Sequence, residues 1–198
     1  TTRPDHDADG NPTVTTMTYT ARGELDSVID PLGRATSYLR DALGRTTQIT
    51  RPDPDGAGPL SAPVTTFASD KLGRQIEILD PLNNLTATSY ENFGRRIVTT
   101  AADPDGAGPQ AAPQTTRDYD AAGNLVSVTD ALGRVTAYQY DQLHRLVTVT
   151  LPDSDGAGPW LSPAIQYQYD KAGNLRFQTD PLGNVTEYRY DHRNRLVG

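Results

Sequence analysis

Polarity along the chain alternates with a period of two over runs of about six residues, as in Val135-Thr-Ala-Tyr-Gln-Tyr140 and Ile165-Gln-Tyr-Gln-Tyr169. Such a period sends successive side chains to opposite faces of a strand, whereas a helix needs apolar residues three and four apart. No segment shows the helical spacing, so no helix is expected. The runs are separated by stretches of the form D-x-x-G, such as Asp30-Pro-Leu-Gly33 and Asp130-Ala-Leu-Gly133. In each, Asp accepts from the amides that follow, Pro or Ala suits the first turn position, and Gly supplies the left-handed residue of a bulged hairpin. Where this glycine is lost, Asn83, His144 or Asn194 stands in its place. Asn tolerates a positive φ well, and His144 is the less comfortable of the substitutes.

The turns themselves recur, and a long-period repeat takes precedence over local structure in setting the architecture. Asp70, Asp120 and Asp170 open one series at intervals of 50 residues, with Thr20-Ala-Arg-Gly-Glu24 as a degenerate first copy. A second series begins ten residues later at Asp30, Asp80, Asp130 and Asp180, and a third follows eleven after that at Asp41, Glu91, Asp141 and Asp191. An acidic Pro-Gly loop then closes each unit: Asp53-Pro-Asp-Gly-Ala-Gly-Pro59, its copy Asp103–Pro109, the variant Asp153–Pro159 and the shorter Arg3–Pro12. The expected fold is all-β, a repetitive antiparallel β-hairpin meander with about four strands per 50-residue super-repeat and roughly sixteen strands in all. The super-repeats fall at about 1-48, 49-98, 99-148 and 149-198 in a single array. Connections in a meander alternate between its two edges. Turns near residues 20, 41, 70, 91, 120, 141, 170 and 191 therefore belong to a first edge, and those near 30, 80, 130 and 180, with every long loop, to a second.

All ten tyrosines lie one or three residues before a turn of the first edge. Those two positions share a face, so the expectation is a ladder along one edge, stacked as cross-strand aromatic pairs. Its structural reading is a covering for the packed face of the sheet; its functional reading is an aromatic surface for sugars.

The segments YQYDQLHRL (Tyr138–Leu146), YQYDKAGNL (Tyr167–Leu175) and YRYDHRNRL (Tyr188–Leu196) resemble the YD-repeat, or Rhs-repeat, family. The resemblance covers nearly the whole chain, including Thr129–Tyr138 and Thr179–Tyr188 between them. That family takes in bacterial Rhs polymorphic toxins, shell components of insecticidal toxin complexes, wall-associated proteins and the animal teneurins. What the resemblance implies is a sheet of hairpins spiralling into a hollow shell, outside the cytoplasm or exported, with a structural, cargo-enclosing or adhesive role. Two features depart from the usual pattern. The inserted Pro-Gly loop lengthens a repeat of about twenty residues into one of 50. The DPLG stretches at Asp30 and Asp180 occupy ordinary turn positions, so neither is read as the self-cleaving element that closes Rhs toxin cores.

Composition narrows the function further. Cysteine is absent, which excludes disulfides and a thiol nucleophile, and a net charge of −7 disfavours nucleic acid as a partner. No apolar run is long enough to span a bilayer. The three histidines, His6, His144 and His192, recur at no matched place, and no nucleophile and base are marked out, so enzymatic activity is not expected. For calcium the candidate is Asp5-x-Asp7-x-Asp9-Gly10, with carboxylates at alternate positions; Thr16 stands where a bidentate Glu belongs. The later loops offer fewer ligands, Asp53 with Asp55, Asp103 with Asp105 and Asp153 with Asp155, and read as turns of fixed shape. No other cofactor is implied. Asn84-Leu-Thr86 and Asn184-Val-Thr186 satisfy the N-glycosylation rule.

Joining Arg193–Gly198 to Thr1–Asp5 restores the register of Arg145–Asp153, which points to a segment of a longer array or to copies that complete one another's strands. The expected function is that of a structural, extracellular or cell-surface protein forming a β-sheet shell, tube or filament, self-associating through open terminal strands. Two alternatives stand beside it: an adhesive module for surface glycans, and the wall of a toxin-encapsulating cocoon.

Overall fold

The computed structural model describes residues 14–56, 58–106, 108, 110–153 and 161–198. Fifteen antiparallel strands form, and their order in the sheet is their order in the sequence. The chain divides into two compact units, Thr1–Thr88 with Ala101–Gly108, and Ser89–Thr100 with Pro109–Gly198. The first holds β1 (Thr16–Tyr19), β2 (Leu25–Ile29), β3 (Ala35–Arg40), β4 (Thr46–Thr50), β5 (Val64–Ser69), β6 (Gln75–Leu79) and the start of β7 (Leu85–Glu91). The second holds β8 (Arg96–Thr100), β9 (Gln114–Tyr119), β10 (Leu125–Thr129), β11 (Val135–Tyr140), β12 (Leu146–Thr150), β13 (Ala164–Tyr169), β14 (Leu175–Thr179) and β15 (Val185–Glu187). A sixteenth strand is reduced to a bridge between Tyr190 and Leu196. The meander and its two edges are thus present as the turn chemistry requires.

The turns show why the sequence repeats as it does. At Asp41, Oδ1 accepts from the amides of Leu43 (2.9 Å) and Arg45 (3.0 Å), while Oδ2 takes the Arg45 guanidinium Nε at 2.6 Å. The Gly44 amide returns to the Asp41 carbonyl, and the Asp41 amide donates to the Arg45 carbonyl. Four donors meet one short side chain and its carbonyl, so the turn has no unsatisfied polar group to bury. The residue after the glycine is part of the lock. Arg fills it at Arg34, Arg45, Arg74, Arg134, Arg145 and Arg195, while Asn84, Asn124, Asn174 and Asn184 do the same through an amide Nδ2 to the Asp carboxylate. The left-handed position is occupied as expected even without glycine, at Asn83 (φ 63°), His144 (φ 60°) and Asn194 (φ 57°).

Two expectations are corrected. The ENFGR stretch was expected to make a turn like its counterparts, but Glu91 is one methylene too long to reach the amides that a turn Asp holds. β7 runs on through Glu91, and Asn92 (φ 48°), Phe93 (φ 58°) and Gly94 (φ 84°) form a short left-handed 3₁₀ turn instead. The tyrosine face, second, is neither a packed core nor a stack of aromatic pairs. Among the described residues only Val149 is buried, at 9% exposure, so neither face of the strands is covered by a packed core. Because tyrosines sit on alternate strands, those of β11 and β13 face an aliphatic side chain or an amide across the sheet: Tyr140 opposite Leu146, Tyr169 opposite Leu175, Tyr138 opposite Val149 and Tyr167 opposite Gln178.

Candidate functional site

The two edges differ in backbone geometry. Hairpins closed at the first edge slip register by one residue beside the turn, for example between Gln139/Tyr140, which pair with Thr148 and Leu146 and leave Val147 as the extra residue. The same slip occurs in the β1/β2, β3/β4, β5/β6, β9/β10 and β13/β14 pairs. Hairpins closed at the second edge, β2/β3, β6/β7, β10/β11 and β14/β15, keep an unbroken register. A bulge bends its strand and raises the local twist, so these hairpins are bent beside one edge only.

First-edge turns also touch one another. In the first unit Arg22 Nη1 donates to the Ala42 carbonyl at 2.7 Å, Arg45 Nη1 donates to the Asp70 carbonyl at 2.9 Å, and the Glu24 carboxylate lies against Gly44. The second unit repeats the arrangement with other chemistry. Asn124 Nδ2 meets His144 Nδ1 at 3.0 Å, and Asn174 Nδ2 donates to Asn194 Oδ1 at 3.1 Å. Because Asn124 Nδ2 also donates to Asp120 Oδ2, His144 Nδ1 is the acceptor. The Arg145 guanidinium lies 4.6 Å from the centre of the Tyr169 ring, whose hydroxyl donates to the Leu146 carbonyl at 2.8 Å. The Tyr169 ring thus reaches across to β12, the strand before its own.

These contacts leave a groove between consecutive first-edge turns. In the first unit it has a volume of about 460 Å³ and is lined by Arg22, Glu24, Asp26, Tyr38 and Arg40. Its counterpart in the second unit, also about 460 Å³, is lined by Asn124, Tyr138, Tyr140, Asp141 and His144. The other face of the sheet carries hydroxyl, amide and carboxylate groups in cross-strand register. Thr116 stands opposite Val98, and Asp118 opposite Arg96, whose Nε reaches it at 2.7 Å. Asp118 also accepts from Ser127 Oγ at 3.2 Å.

The turn carboxylates are held below the ordinary aspartate range. For Asp41 the Arg45 side-chain hydrogen bond is the largest cause, and for Asp130 and Asp141 the amides of Arg134 and Arg145 lead. At Asp80, Asp120, Asp170 and Asp180 the side-chain bond from the following Asn lowers the value most. Arg96 does the same to Asp118. Burial pushes the Tyr140 and Tyr169 phenols up, with Arg145 opposing it at Tyr169.

Of the residues singled out from sequence, Asp5, Asp7, Asp9 and His6 lie outside the described residues, as does Asp155. The described acidic loops turn their carboxylates inward. Asp53 Oδ1 accepts from the Asp55 amide at 3.1 Å, Asp55 Oδ2 from the Leu60 amide at 3.1 Å, and Asp103 Oδ1 from the Asp105 amide at 3.2 Å. Among the described residues no group of three or more His, Cys, Asp or Glu side chains is placed to hold a metal ion. Asn84 and Asn184 are exposed at second-edge turns, and each Nδ2 donates to its turn carboxylate, at 2.9 Å to Asp80 and 2.8 Å to Asp180. The sequence reading missed the residue after the turn glycine and the contacts between turns twenty residues apart. The first signal was available, because Arg or Asn follows the left-handed residue in every tight D-x-x-G hairpin turn and in its Asn and His variants.

A sheet built from sequential hairpins, most of whose tight turns are locked by an Asp, defines a repeat protein whose unit is the hairpin. The RHS Repeat family matches residues 19–56, 119–155 and 169–198, more than half of the chain. The chain belongs to that family. Its fold is similar to that of TcdB2-TccC3-Cdc42 in a crystal structure (TM-score 0.73, 19% identity, 93% of this chain and 10% of that one). It is likewise similar to TcdB2-TccC3 without its hypervariable C-terminal region (TM-score 0.72, 19% identity, 93% and 10%). A third likeness is to the Tc holotoxin pore of Photorhabdus luminescens (TM-score 0.70, 20% identity, 92% and 10%). The chain spans about a tenth of the length of each of these proteins. No curated protein matches its sequence.

Proposed function

We propose that the chain is a wall segment: a stretch of β-sheet whose work is to enclose or to span, within a shell, tube or filament of an extracellular or exported protein. The observation that carries this reading is the sequential strand order, in which every connection is local and the sheet grows only by adding hairpins. The likeness to TcdB2-TccC3 supports the shell form of the reading, and family membership supports export. No step of this work is chemical, and the chain is read as a non-enzyme. Strand pairing across copies is the association that such a sheet favours, because an outermost strand presents unpaired amides and carbonyls.

Negative-stain electron microscopy of the purified chain over a concentration series tests it. Fibres or closed assemblies that grow with concentration are expected, and a chain that stays monomeric throughout overturns the reading. A second reading, an adhesive module for surface glycans, draws on the groove lined by Tyr138, Tyr140 and Asn124, since aromatic faces beside amide groups suit sugar rings. Retention on a glycan array by a monomeric chain favours it.

A further inference from the structure

Five Asp–Pro bonds lie along the chain, in two settings. Asp30–Pro31, Asp80–Pro81 and Asp180–Pro181 open second-edge turns, whereas Asp53–Pro54 and Asp103–Pro104 belong to the acidic loops. An Asp followed by Pro can cut its own backbone in acid. The prolyl nitrogen, part of a tertiary amide, takes up a proton more readily than an ordinary peptide nitrogen. The Asp carboxyl, in turn, reaches its own carbonyl carbon by closing a five-membered ring.

The turns withhold the side chain that this step needs. Asp30 Oδ1 accepts from the Leu32 and Arg34 amides, both at 2.9 Å, and Oδ2 from Arg34 Nε at 2.6 Å. Asp80 is held in the same way by the Leu82 and Asn84 amides and by Asn84 Nδ2. Asp180 has the Leu182 and Asn184 amides and Asn184 Nδ2. In the loops a single bond takes their place. Asp53 Oδ1 accepts from the Asp55 amide at 3.1 Å and Asp103 Oδ1 from the Asp105 amide at 3.2 Å, and among the described residues neither Oδ2 has a partner. Pro54 and Pro104 are exposed, so water reaches both bonds. The charged groups around Asp53 are Arg51, Asp30 and Arg34 in the groove they share, with Asp55 next along the loop. In the second loop Ala101 stands in place of Arg51, which leaves Asp105 as the nearest charge in sequence.

We propose that Asp53–Pro54 and Asp103–Pro104 are self-cleavage sites of the folded chain in acid, and that the three turn bonds are protected by their locks. A carboxyl oxygen of the Asp adds to its own carbonyl carbon, the carbon–nitrogen bond to Pro breaks, and the prolyl nitrogen leaves with the carboxyl proton as a new amino terminus. The cyclic anhydride left on the Asp takes up one water and opens to two carboxyl groups. The net change is hydrolysis of one peptide bond. Each bond is cut once, which is not turnover, and the step does not rest on the wall reading. Cuts at both loops excise Pro54–Asp103, one super-repeat of 50 residues carrying β5 to β8. Because β5 is paired with β4 and β8 with β9, the nicked chain holds together until those strands part.

The test is incubation of the full chain for weeks at about pH 5, where the turn carboxylates are still ionised. Circular dichroism checks the fold, and fragments are separated in denaturant and weighed by mass spectrometry. New ends are expected at Asp53 and Asp103, forming at least about tenfold faster than ends at Asp30, Asp80 or Asp180, because each turn must first release two more hydrogen bonds. The chain unfolded in urea at the same pH is expected to be cut at all five bonds at comparable rates. Asp153–Ser154, with Ser where the other loops have Pro, is a built-in control and is expected to stay whole. Pro54→Ala keeps the carboxyl and removes the basic leaving nitrogen, so it is expected to abolish the cut after Asp53 and leave that after Asp103. Turn bonds cut as fast as loop bonds in the folded chain, or no cut at either loop, overturn the proposal. So do a loop preference that persists in urea, a cut after Asp153, and a cut after Asp53 that survives Pro54→Ala.

Discussion

The two edges of the sheet use the same turn for different ends. At the first edge the turns opened by Asp41, Asp120, Asp141 and Asp170 are locked by that Asp and bulged beside it, and several turns are tied to a neighbouring one, as Asn124 is to His144. At the second edge the lock is identical, Asp30 holding the amides of Leu32 and Arg34, but the register is unbroken and a proline-rich loop separates neighbouring turns. The Asp lock is therefore the unit of folding, and what surrounds it decides whether a turn is braced or left as a presenting tip.

Acid removes what the edges share and is expected to have the largest effect. The turn aspartates have folded-state values lowered from an ordinary value of about 4, at Asp41, Asp120 and Asp141 on one edge and Asp30, Asp80 and Asp130 on the other. A carboxylate depressed in the folded state contributes stability that is fully present above its unfolded value and is lost as pH falls through the folded one. Thermal melts should be flat from neutrality down to about pH 5 and then fall steeply below pH 4. A melting temperature unchanged at pH 2.5 would remove the lock from the account. Amide exchange in the same acid range should open the second-edge tips before the first, because among the described residues the hydrogen bonds that tie one turn to another are at the first edge.

Single substitutions come next and separate the edges. Asp141→Ala removes the acceptor for the Leu143 and Arg145 amides and frees Arg145, which also lies over Tyr169. Asp130→Ala removes the same acceptor where no described neighbour leans on the turn. Melting temperature should drop by several degrees for the first and by about half as much for the second. Equal drops would mean that the contacts between turns carry no stability.

The all-β class, the strand spacing and the assignment of turns to edges were legible because Asp, Gly and the two-residue period act within a few residues. The tyrosine pairing was not. Counting positions before a turn places Tyr138 and Tyr140 on one face, but strand order decides that aliphatic strands lie between the aromatic ones, so Val149 and Leu146 face them. ENFGR was misread because Glu91 was treated as an Asp; one methylene moves the turn into three consecutive left-handed residues. The bulges were half visible, in the left-handed glycine, but the same glycine closes second-edge hairpins that keep their register. Which edge is braced depends on residues twenty apart, a distance at which local turn chemistry says nothing.

Glycine substitution probes that bracing at lower cost. Gly33 (φ 76°) and Gly44 (φ 80°) have the same backbone, so alanine at either pays the same left-handed strain, about 1–2 kcal/mol. Nothing lies within 4 Å of the added methyl at Gly33, whereas at Gly44 it meets the Glu24 carboxylate. Denaturant titration should find Gly44→Ala the more destabilising by a few tenths of a kcal/mol, since Glu24 is long enough to give way. Combining it with Glu24→Ala should erase the difference.

The acidic loops should respond least. In Asp53→Asn and Asp55→Asn an amide oxygen replaces a carboxylate oxygen as acceptor for the Asp55 and Leu60 amides, so the loop keeps its two side-chain hydrogen bonds. Stability is expected to stay within about 0.5 kcal/mol of the native chain, and chelation should leave the native melting temperature unmoved. A large loss on chelation that follows Asp53 and Asp55 would make the loop a calcium site. A loss that persists in the double variant would direct attention to Asp5, Asp7 and Asp9.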